Sequence, residues 1–138
     1  MSCSLDQISP PIRVLIVDDQ PAMRMTLKFF LLAFDDLELV GEAANGEQAL
    51  RLCGEVKPDV ALMDLDMPGM DGISATRAIH QDWPQIKVVA LTSLLKEETI
   101  QRLLQAEAIN YLYKDISADR LTNAIRAAHL GHKNGSTF

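Results

Sequence analysis

The sequence predicts one α/β domain in which a five-stranded parallel sheet carries helices on both faces. Five short apolar runs alternate strictly with five segments of helical periodicity, a pattern typical of a parallel sheet with right-handed crossovers. The chain has 138 residues, a length that fits one domain, and 48% of them are hydrophobic. Four of the five apolar runs end in polar residues, which places candidate functional groups at one edge of the sheet.

The first two strand–helix units occupy residues 13–55. The β-branched run 13–17 predicts a buried strand, and Pro21 suits the first turn of the helix that follows it. Residues 37–43 alternate only in part, which favours a strand nearer the edge of the sheet, and residues 47–55 form a short helix. The positions expected to face the core in these helices are Met23, Leu27, Phe30, Leu31, Phe34, Ala49, Leu50 and Cys53.

The remaining three units alternate strand and helix through residues 60–63, 73–82, 86–91, 96–108, 110–113 and 118–130. Trp83 and Pro84 end the first of these helices. Ser117 can cap the last helix and Gly131 can end it. The inward positions expected in the last two helices are Ile100, Leu103, Leu104, Leu121, Ile125 and Ala128.

Composition limits the class of protein. A net charge of −6 argues against a nucleic-acid-binding surface in this chain and is compatible with a small acidic cation site. Two cysteines do not make a disulfide framework, and neither a secretory signal nor a membrane-spanning run is visible, so a cytoplasmic location without membrane attachment is expected. We expect residues 1–11 to be a flexible leader, 12–131 the folded domain, and 132–138 a disordered tail or the start of a linker.

The polar residues that follow the predicted strands form a constellation. Asp18 and Asp19 follow the first strand, Asp64 the third, Thr92 the fourth and Lys114 the fifth. Because the carboxyl ends of parallel strands meet at one edge, these side chains are expected to lie together. Three crowded carboxylates repel one another unless a cation joins them, and oxygen ligands favour Mg²⁺. With a lysine and a hydroxyl beside them, they predict a phosphoryl-transfer site.

These residues lie in five motifs that together carry a family resemblance: VLIVDDQPAMR, NGEQAL, PDVALMDLDMPGMDGI, VVALTS and YLYKD. The chain resembles the receiver domain of two-component response regulators, and most of all the NarL/LuxR-type subgroup. The resemblance implies a flavodoxin-like (βα)5 doubly wound fold with strand order 2-1-3-4-5. It also implies a signalling switch, which catalyses only its own phosphorylation and dephosphorylation, rather than an enzyme.

The resemblance implies a role for each acidic residue of the constellation. Asp64 matches the phosphoacceptor, which takes a phosphoryl group from a histidine kinase or a small phosphodonor. Asp18 and Asp19 match the acidic pair that binds Mg²⁺, together with Asp64 and the backbone carbonyl of Asp66.

Other positions match the residues that respond to phosphorylation. Thr92 matches the hydroxyl that swings toward the phosphate, and Lys114 matches the lysine that forms a salt bridge with it. Tyr111 matches the aromatic switch residue, although an ordinary edge-strand tyrosine would look the same and Tyr113 could serve the same packing. The switch is expected to act on the face formed by the fourth helix, the fifth strand and the fifth helix.

Some positions tune the family's chemistry or depart from its pattern. Asp66 and Leu94 occupy the positions at which the family adjusts water access, and therefore the rate of phosphate hydrolysis. Glu107 and Asn110 stand in a segment in which many members have glycine, and Asp115 stands where other receivers carry a proline, often with a cis bond. None of these departures removes a site residue, so competence for phosphorylation is expected.

The resemblance also implies partners. A sensor histidine kinase would supply the phosphoryl group. After phosphorylation, the switch face would bind a partner or a second receiver, which leaves both a heteromeric complex and a homodimer open. Members of the subgroup usually bind DNA through a C-terminal helix-turn-helix domain, which is not present in this sequence. The chain is therefore either a stand-alone receiver or part of a longer protein, and the resemblance favours the second.

Three alternative functions fit the sequence less well. A receiver fold used only as a protein-interaction module would tolerate loss of the acceptor, the acidic pair or the lysine, all of which are present. Asp64-Leu65-Asp66 is similar to the motif of haloacid-dehalogenase-like phosphatases, but those chains place it on the first strand and are longer. A nucleotide- or flavin-binding domain is disfavoured because no glycine-rich loop follows the first strand.

Overall fold

The computed structural model describes residues 10–67, 71–93 and 96–132 of the chain. The expected leader, apart from Pro10 and Pro11, lies outside the described residues, and so do Leu94 and most of the expected tail. The strands are β1 (Ile12–Val17), β2 (Leu37–Ala43), β3 (Val60–Asp64), β4 (Lys87–Thr92) and β5 (Asn110–Tyr113). The helices are α1 (Pro21–Leu32), α2 (Gly46–Val56), α3 (Gly72–Asp82), α4 (Glu97–Gln105) and α5 (Ala118–His129).

All strand pairs in the sheet are parallel, and the order is β2-β1-β3-β4-β5, which confirms the flavodoxin-like order expected from the resemblance. β3 lies at the centre, between β1 and β4, and is buried along its whole length. β2 lies at one edge, as its partial alternation predicted, and its register with β1 shifts between Val14 and Leu15. The order places the end of β3 between the ends of β1 and β4.

Alternate residues of the central strands serve two cores. On one face, Val14, Ile16 and Leu62 pack with the buried side chains of α1 and α5. On the other face, Leu15 and Met63 pack with buried residues of α2 and α3, and α4 adds a smaller cluster around Leu103. Because successive side chains of a strand point to opposite faces, an unbroken apolar run is what a strand covered on both sides requires.

The helix ends follow local signals in the sequence. Asn45, Asp71 and Ser117 each accept a hydrogen bond from a backbone N–H in the first turn of the helix they precede. α5 ends where Gly131 adopts a φ of +87° and donates to the carbonyl of Ala128, a conformation that glycine adopts without steric cost. Within the described part of the chain, no helix is long and apolar enough to cross a membrane.

Two expectations for α4 are wrong. The helix ends at Gln105 rather than at residue 108, because Glu107 takes a left-handed conformation with φ +69°. Leu104 was expected to face the core, but it is 51% exposed, while Leu103 is fully buried. Adjacent helical positions point about 100° apart. Because α4 packs on the sheet through one face, only one of the two leucines is buried.

Candidate functional site

The carboxyl edge of the sheet brings the candidate residues together. Asp18 and Asp19 follow directly on β1, Asp64 is the last residue of β3, Thr92 is the last residue of β4, and Lys114 follows β5. The Lys114 N–H donates to the carbonyl of Thr92, which extends the β4–β5 pairing into the site.

The three aspartates form a cluster in which one carboxylate oxygen from each lies within 4.8 Å of the others. Asp18 and Asp64 are fully buried, and Asp19 is half-buried. Oδ1 of Asp18 accepts from the N–H of Gln20, and Oδ1 of Asp64 accepts from the N–H of Asp66, both at 2.9 Å. Oδ2 of Asp18 and Oδ2 of Asp64 have no hydrogen-bond partner among the described residues. Buried, unsatisfied carboxylate oxygens fit a hard cation such as Mg²⁺.

Lys114 supplies the positive charge of the cluster. Its Nζ lies 2.8 Å from Oδ1 of Asp64, 3.6 Å from Oδ2 of Asp18 and 3.8 Å from Oδ2 of Asp66. Burial alone would lower the pKa of Lys114, but the hydrogen bond to Asp64 and the charges of the three aspartates raise it. Lys114 is therefore protonated at neutral pH.

The positive charge of Lys114 does not fully offset the rise in the pKa of Asp64. Burial, and to a lesser degree the charge of Asp18, raise the pKa of Asp64, and the hydrogen bonds from Lys114 and from the N–H of Asp66 offset only part of that effect. The pocket thus still favours added positive charge beside Asp64.

A second group of contacts lies at the end of β4. The carboxylate of Asp66 accepts from Oγ1 of Thr92 at 3.4 Å, from the N–H of Ser93 at 3.2 Å and from Oγ of Ser93 at 3.1 Å. Sequence reasoning assigned Asp66 and Thr92 but missed Ser93. The available signal was its position immediately after Thr92, which places its backbone N–H at the same edge of the sheet.

At the start of α3, the backbone of Asp64 and Leu65 lies so close that only glycine fits at position 72. A Cβ built on Gly72 would lie 2.3 Å from the carbonyl oxygen of Asp64 and 2.9 Å from Cα of Leu65. Asp71, just before it, caps α3 by accepting from the N–H of Ser74 at 2.7 Å. The helix therefore begins in direct contact with the end of β3.

Arg24 of α1 stabilises the turn after β1. Arg24 donates to the backbone carbonyl of Asp18 through Nη1, and its Nε lies 3.4 Å from a carboxylate oxygen of Glu42 on β2. Arg24 thus joins three elements next to the aspartate cluster, a role that its position on a helix face did not reveal.

A nucleophilic carboxylate, a hard-cation site, an ammonium group and a hydroxyl are the parts that phosphoryl transfer requires. The sequence profile of the response regulator receiver domain matches residues 14–126. The chain belongs to the response regulator receiver domain family.

Full-length relatives of this receiver domain include transcription regulators. It is 44% identical over 120 residues to the transcriptional regulatory protein LiaR of Bacillus subtilis, which covers 87% of this chain and 57% of the relative. It is 42% identical over 120 residues to the response regulator protein VraR of Staphylococcus aureus, with the same coverage. The chain spans slightly more than half the length of these relatives.

Solved structures agree with the assignment to the NarL/LuxR subgroup. The signal receiver domain of NarL from Mycobacterium tuberculosis superposes with a TM-score of 0.86 at 30% identity, covering 90% of this chain and all of that one. A LuxR-family response regulator from Aurantimonas also gives 0.86, at 31% identity, covering 92% of this chain and 91% of the other.

Of the seven predicted site residues that the structure describes, six lie together. The six that meet at the carboxyl edge are Asp18, Asp19, Asp64, Asp66, Thr92 and Lys114. Tyr111 is half-buried against the cluster formed by residues of α3, β4 and α4, whereas Tyr113 is 50% exposed. Leu94 lies outside the described residues.

Proposed function

We propose that this receiver domain is a Mg²⁺-dependent phosphorylation switch in which Asp64 accepts a phosphoryl group from a phosphohistidine of a sensor kinase or from a small phosphodonor. The observation that carries the proposal is that Asp64 is buried beside two more aspartates, with Lys114 Nζ 2.8 Å from one of its oxygens. A structural ion pair would not need two buried carboxylate oxygens without hydrogen-bond partners among the described residues.

In the proposed reaction, a carboxylate oxygen of Asp64 attacks the phosphorus atom of the donor. The P–N bond of the phosphohistidine breaks, its electron pair stays on the imidazole nitrogen, and Asp64 becomes an acyl phosphate. Lys114 neutralises charge on the phosphoryl oxygens, and Thr92 donates its hydroxyl to one of them.

The residues proposed to hold Mg²⁺ are Asp18, Asp19, Asp64 and the backbone carbonyl of Asp66. When bound, Mg²⁺ supplies further positive charge to the phosphoryl oxygens and relieves repulsion among the carboxylates. The same residues that repel one another in its absence are thus the ones that make the site selective for a hard cation.

The proposed conformational switch couples a movement of Thr92 to a movement of Tyr111. Movement of Thr92 toward the phosphoryl group vacates space beside β4, and the Tyr111 ring turns into it. Tyr111 pairs with Ala90 in the β4–β5 register and packs against the cluster that contains Leu103 of α4, so its rotation would alter the surface of α4, β5 and α5. That surface is proposed to bind a partner or a second copy, and to control a DNA-binding output domain such as full-length transcription regulators carry.

Intact-protein mass spectrometry tests the acceptor. After incubation with acetyl phosphate and Mg²⁺, the wild type should gain one phosphoryl group, and the gain should be absent without metal and in Asp64→Asn, which has the same shape. If the folded wild type gains no phosphoryl group, the interaction-module function is favoured instead. Sustained turnover of a phosphomonoester would favour the haloacid-dehalogenase-like alternative.

Fluorine NMR tests the switch. Fluorotyrosine labels only Tyr111 and Tyr113, since the chain contains two tyrosines. Beryllofluoride with Mg²⁺ should shift the Tyr111 resonance, because its ring moves from one environment to another, and Tyr113→Phe identifies which of the two resonances belongs to Tyr111. An unmoved Tyr111 resonance in a protein that accepts phosphate would exclude Tyr111 as the switch residue.

A further inference from the structure

Asp66 is bound by the groups that surround the acceptor. Its carboxylate accepts from the Thr92 hydroxyl and from both the N–H and the hydroxyl of Ser93, at 3.4, 3.2 and 3.1 Å, and its Oδ2 lies 3.8 Å from Nζ of Lys114. The side chain is nevertheless 43% exposed, so it could be solvated by water instead. Its position is therefore set by donors that converge on one anion.

The donors that hold Asp66 belong to the proposed reaction. Thr92 and Lys114 are the hydroxyl and the ammonium proposed to bind the phosphoryl oxygens, and the N–H of Ser93 follows Thr92 on the same strand end. Backbone N–H groups, hydroxyls and ammonium groups that converge on one point form an oxyanion site. In the protein without phosphate, the anion in that site is the carboxylate of Asp66.

We infer that Asp66 is a positioning residue whose carboxylate acts as an internal competitor of the phosphoryl group, an inference that rests on the proposed role of Asp64 as acceptor. The carboxylate holds Thr92 and Ser93 in their unphosphorylated arrangement. A phosphoryl group on Asp64 must displace it, because two anions cannot share one set of donors without strong repulsion.

The Asp66 side chain can rotate out of the site toward solvent. Its half-exposed side chain lines a recess together with Lys96, Glu98 and Arg102 of the α4 region, and rotation toward solvent gives up its contacts with Thr92, Ser93 and Lys114 in exchange for water. Asp66 therefore weakens the affinity of the site for a phosphoryl group by a modest factor. It also holds Thr92 in place until a phosphoryl group displaces the carboxylate. This role sets a direction: removal of the Asp66 carboxylate strengthens binding of a phosphoryl group.

The first test compares binding of beryllofluoride, an analogue of the phosphoryl group, in the wild type, Asp66→Ala and Asp66→Asn at saturating Mg²⁺. Calorimetry should give a Kd about fivefold lower for Asp66→Ala, the effect of one net hydrogen bond. Glu98→Gln is the matched control, since it removes a negative charge from the same recess at a residue that is exposed. It should change the Kd less than twofold.

The second test needs no phosphate analogue. In the free protein, the amide proton of Ser93 should move upfield and exchange faster in Asp66→Ala, because its carboxylate acceptor is gone. The same resonance should stay in place in Glu98→Gln. Circular dichroism and the Kd for Mg²⁺ show whether each variant keeps its fold and its metal site.

The outcomes separate the two claims. If the wild type binds beryllofluoride and takes a phosphoryl group from acetyl phosphate, but Asp66→Ala binds with equal or weaker affinity, the inference about Asp66 is wrong and the proposed function stands. An unmoved Ser93 amide in Asp66→Ala also overturns the inference. If neither the wild type nor any variant binds beryllofluoride, the proposed function and the inference fall together.

Discussion

Nζ of Lys114 lies 2.8 Å from Oδ1 of Asp64, although β4 separates the strands that carry these two residues. The lysine reaches across the end of β4, over the backbone carbonyl of Thr92 to which its own N–H donates. One ion pair therefore joins β3 to β5 at the edge where β1 contributes Asp18. Any ligand that engages Asp64 must compete with this ion pair or reorganise it, so the state of Asp64 is coupled to β4 and β5.

Magnesium should stabilise the fold through the aspartate cluster. At ten times Kd, a ligand that binds only the native state adds about 1.4 kcal/mol to the free energy of unfolding. For a domain of this size, that corresponds to a rise in Tm of about 5 °C, measurable by calorimetry. Asp64→Asn should lose most of this rise, and NaCl at matched ionic strength should not reproduce it. An equal rise in the wild type and in Asp64→Asn would mean that Mg²⁺ binds elsewhere.

Replacement of Gly72 by alanine should damage the site and the fold together. The added Cβ would meet backbone atoms of Asp64 and Leu65, which cannot rotate away as a flexible side chain can. We expect a loss of about 2–3 kcal/mol in the free energy of unfolding by urea titration.

Gly54→Ala is the matched control for Gly72→Ala. The Cβ at position 54 would meet a ring atom of Trp83 at 3.3 Å, a side chain that can shift, and alanine favours the helix by about 1 kcal/mol over glycine. Gly54→Ala should therefore lower the free energy of unfolding little or not at all. Equal destabilisation by both substitutions would contradict the close approach of α3 to β3.

Glu107→Gly should stabilise the protein. α4 ends in a Schellman-type turn in which the N–H of Glu107 donates to the carbonyl of Leu104 and the N–H of Ala108 to that of Leu103. Glu107 adopts a φ of +69° there, which costs a residue with a Cβ about 1 kcal/mol relative to glycine. We expect a gain of roughly that size in urea unfolding, and little change for Glu107→Ala. If Gly and Ala are equally stable, the left-handed conformation at this position is not strained.

The ion pair between Asp36 and Arg126 should contribute a small, pH-dependent stability. Two hydrogen bonds of 2.7 and 3.0 Å join the carboxylate to the guanidinium. The hydrogen bond from Arg126 holds the pKa of Asp36 below its ordinary value, against the opposite effect of partial burial. Its contribution is therefore present above about pH 4 and is lost as the pH falls through the lower, folded-state pKa. Because Asp36 is half-exposed, solvent screening limits the contribution to about 0.5 kcal/mol.

Urea titrations of the wild type and Asp36→Asn at pH 7 and pH 3 measure this contribution. The difference in the free energy of unfolding should be about 0.5 kcal/mol at pH 7 and should shrink at pH 3 or in 1 M salt. Asp35→Asn, at the exposed neighbouring position, should leave the free energy of unfolding nearly unchanged at both pH values. A difference that grows toward pH 3 would contradict the sign derived from Arg126.

Much of the site was predictable because its residues occupy strand ends. Asp64 and Thr92 are the last residues of buried apolar runs, and the parallel order carries such positions to one edge whatever the loops between them do. Leu104 was misassigned because its exposure depends on how far α4 extends and how it rolls on the sheet. Ser93 was missed because only the position of the Asp66 side chain reveals its role.

The sequence by itself determined the element order, the doubly wound class and the set of polar residues at the carboxyl edge of the sheet, since these depend on local periodicity and on the ends of strands. Only the tertiary structure decided which partners those polar residues take: Lys114 pairs with Asp64 more closely than with Asp18, and Asp66 is held by Thr92 and Ser93. The physical reason is that hydrogen bonds and desolvated ion pairs depend on separations of a few tenths of an ångström, which the packing of β4, β5 and the loops sets jointly.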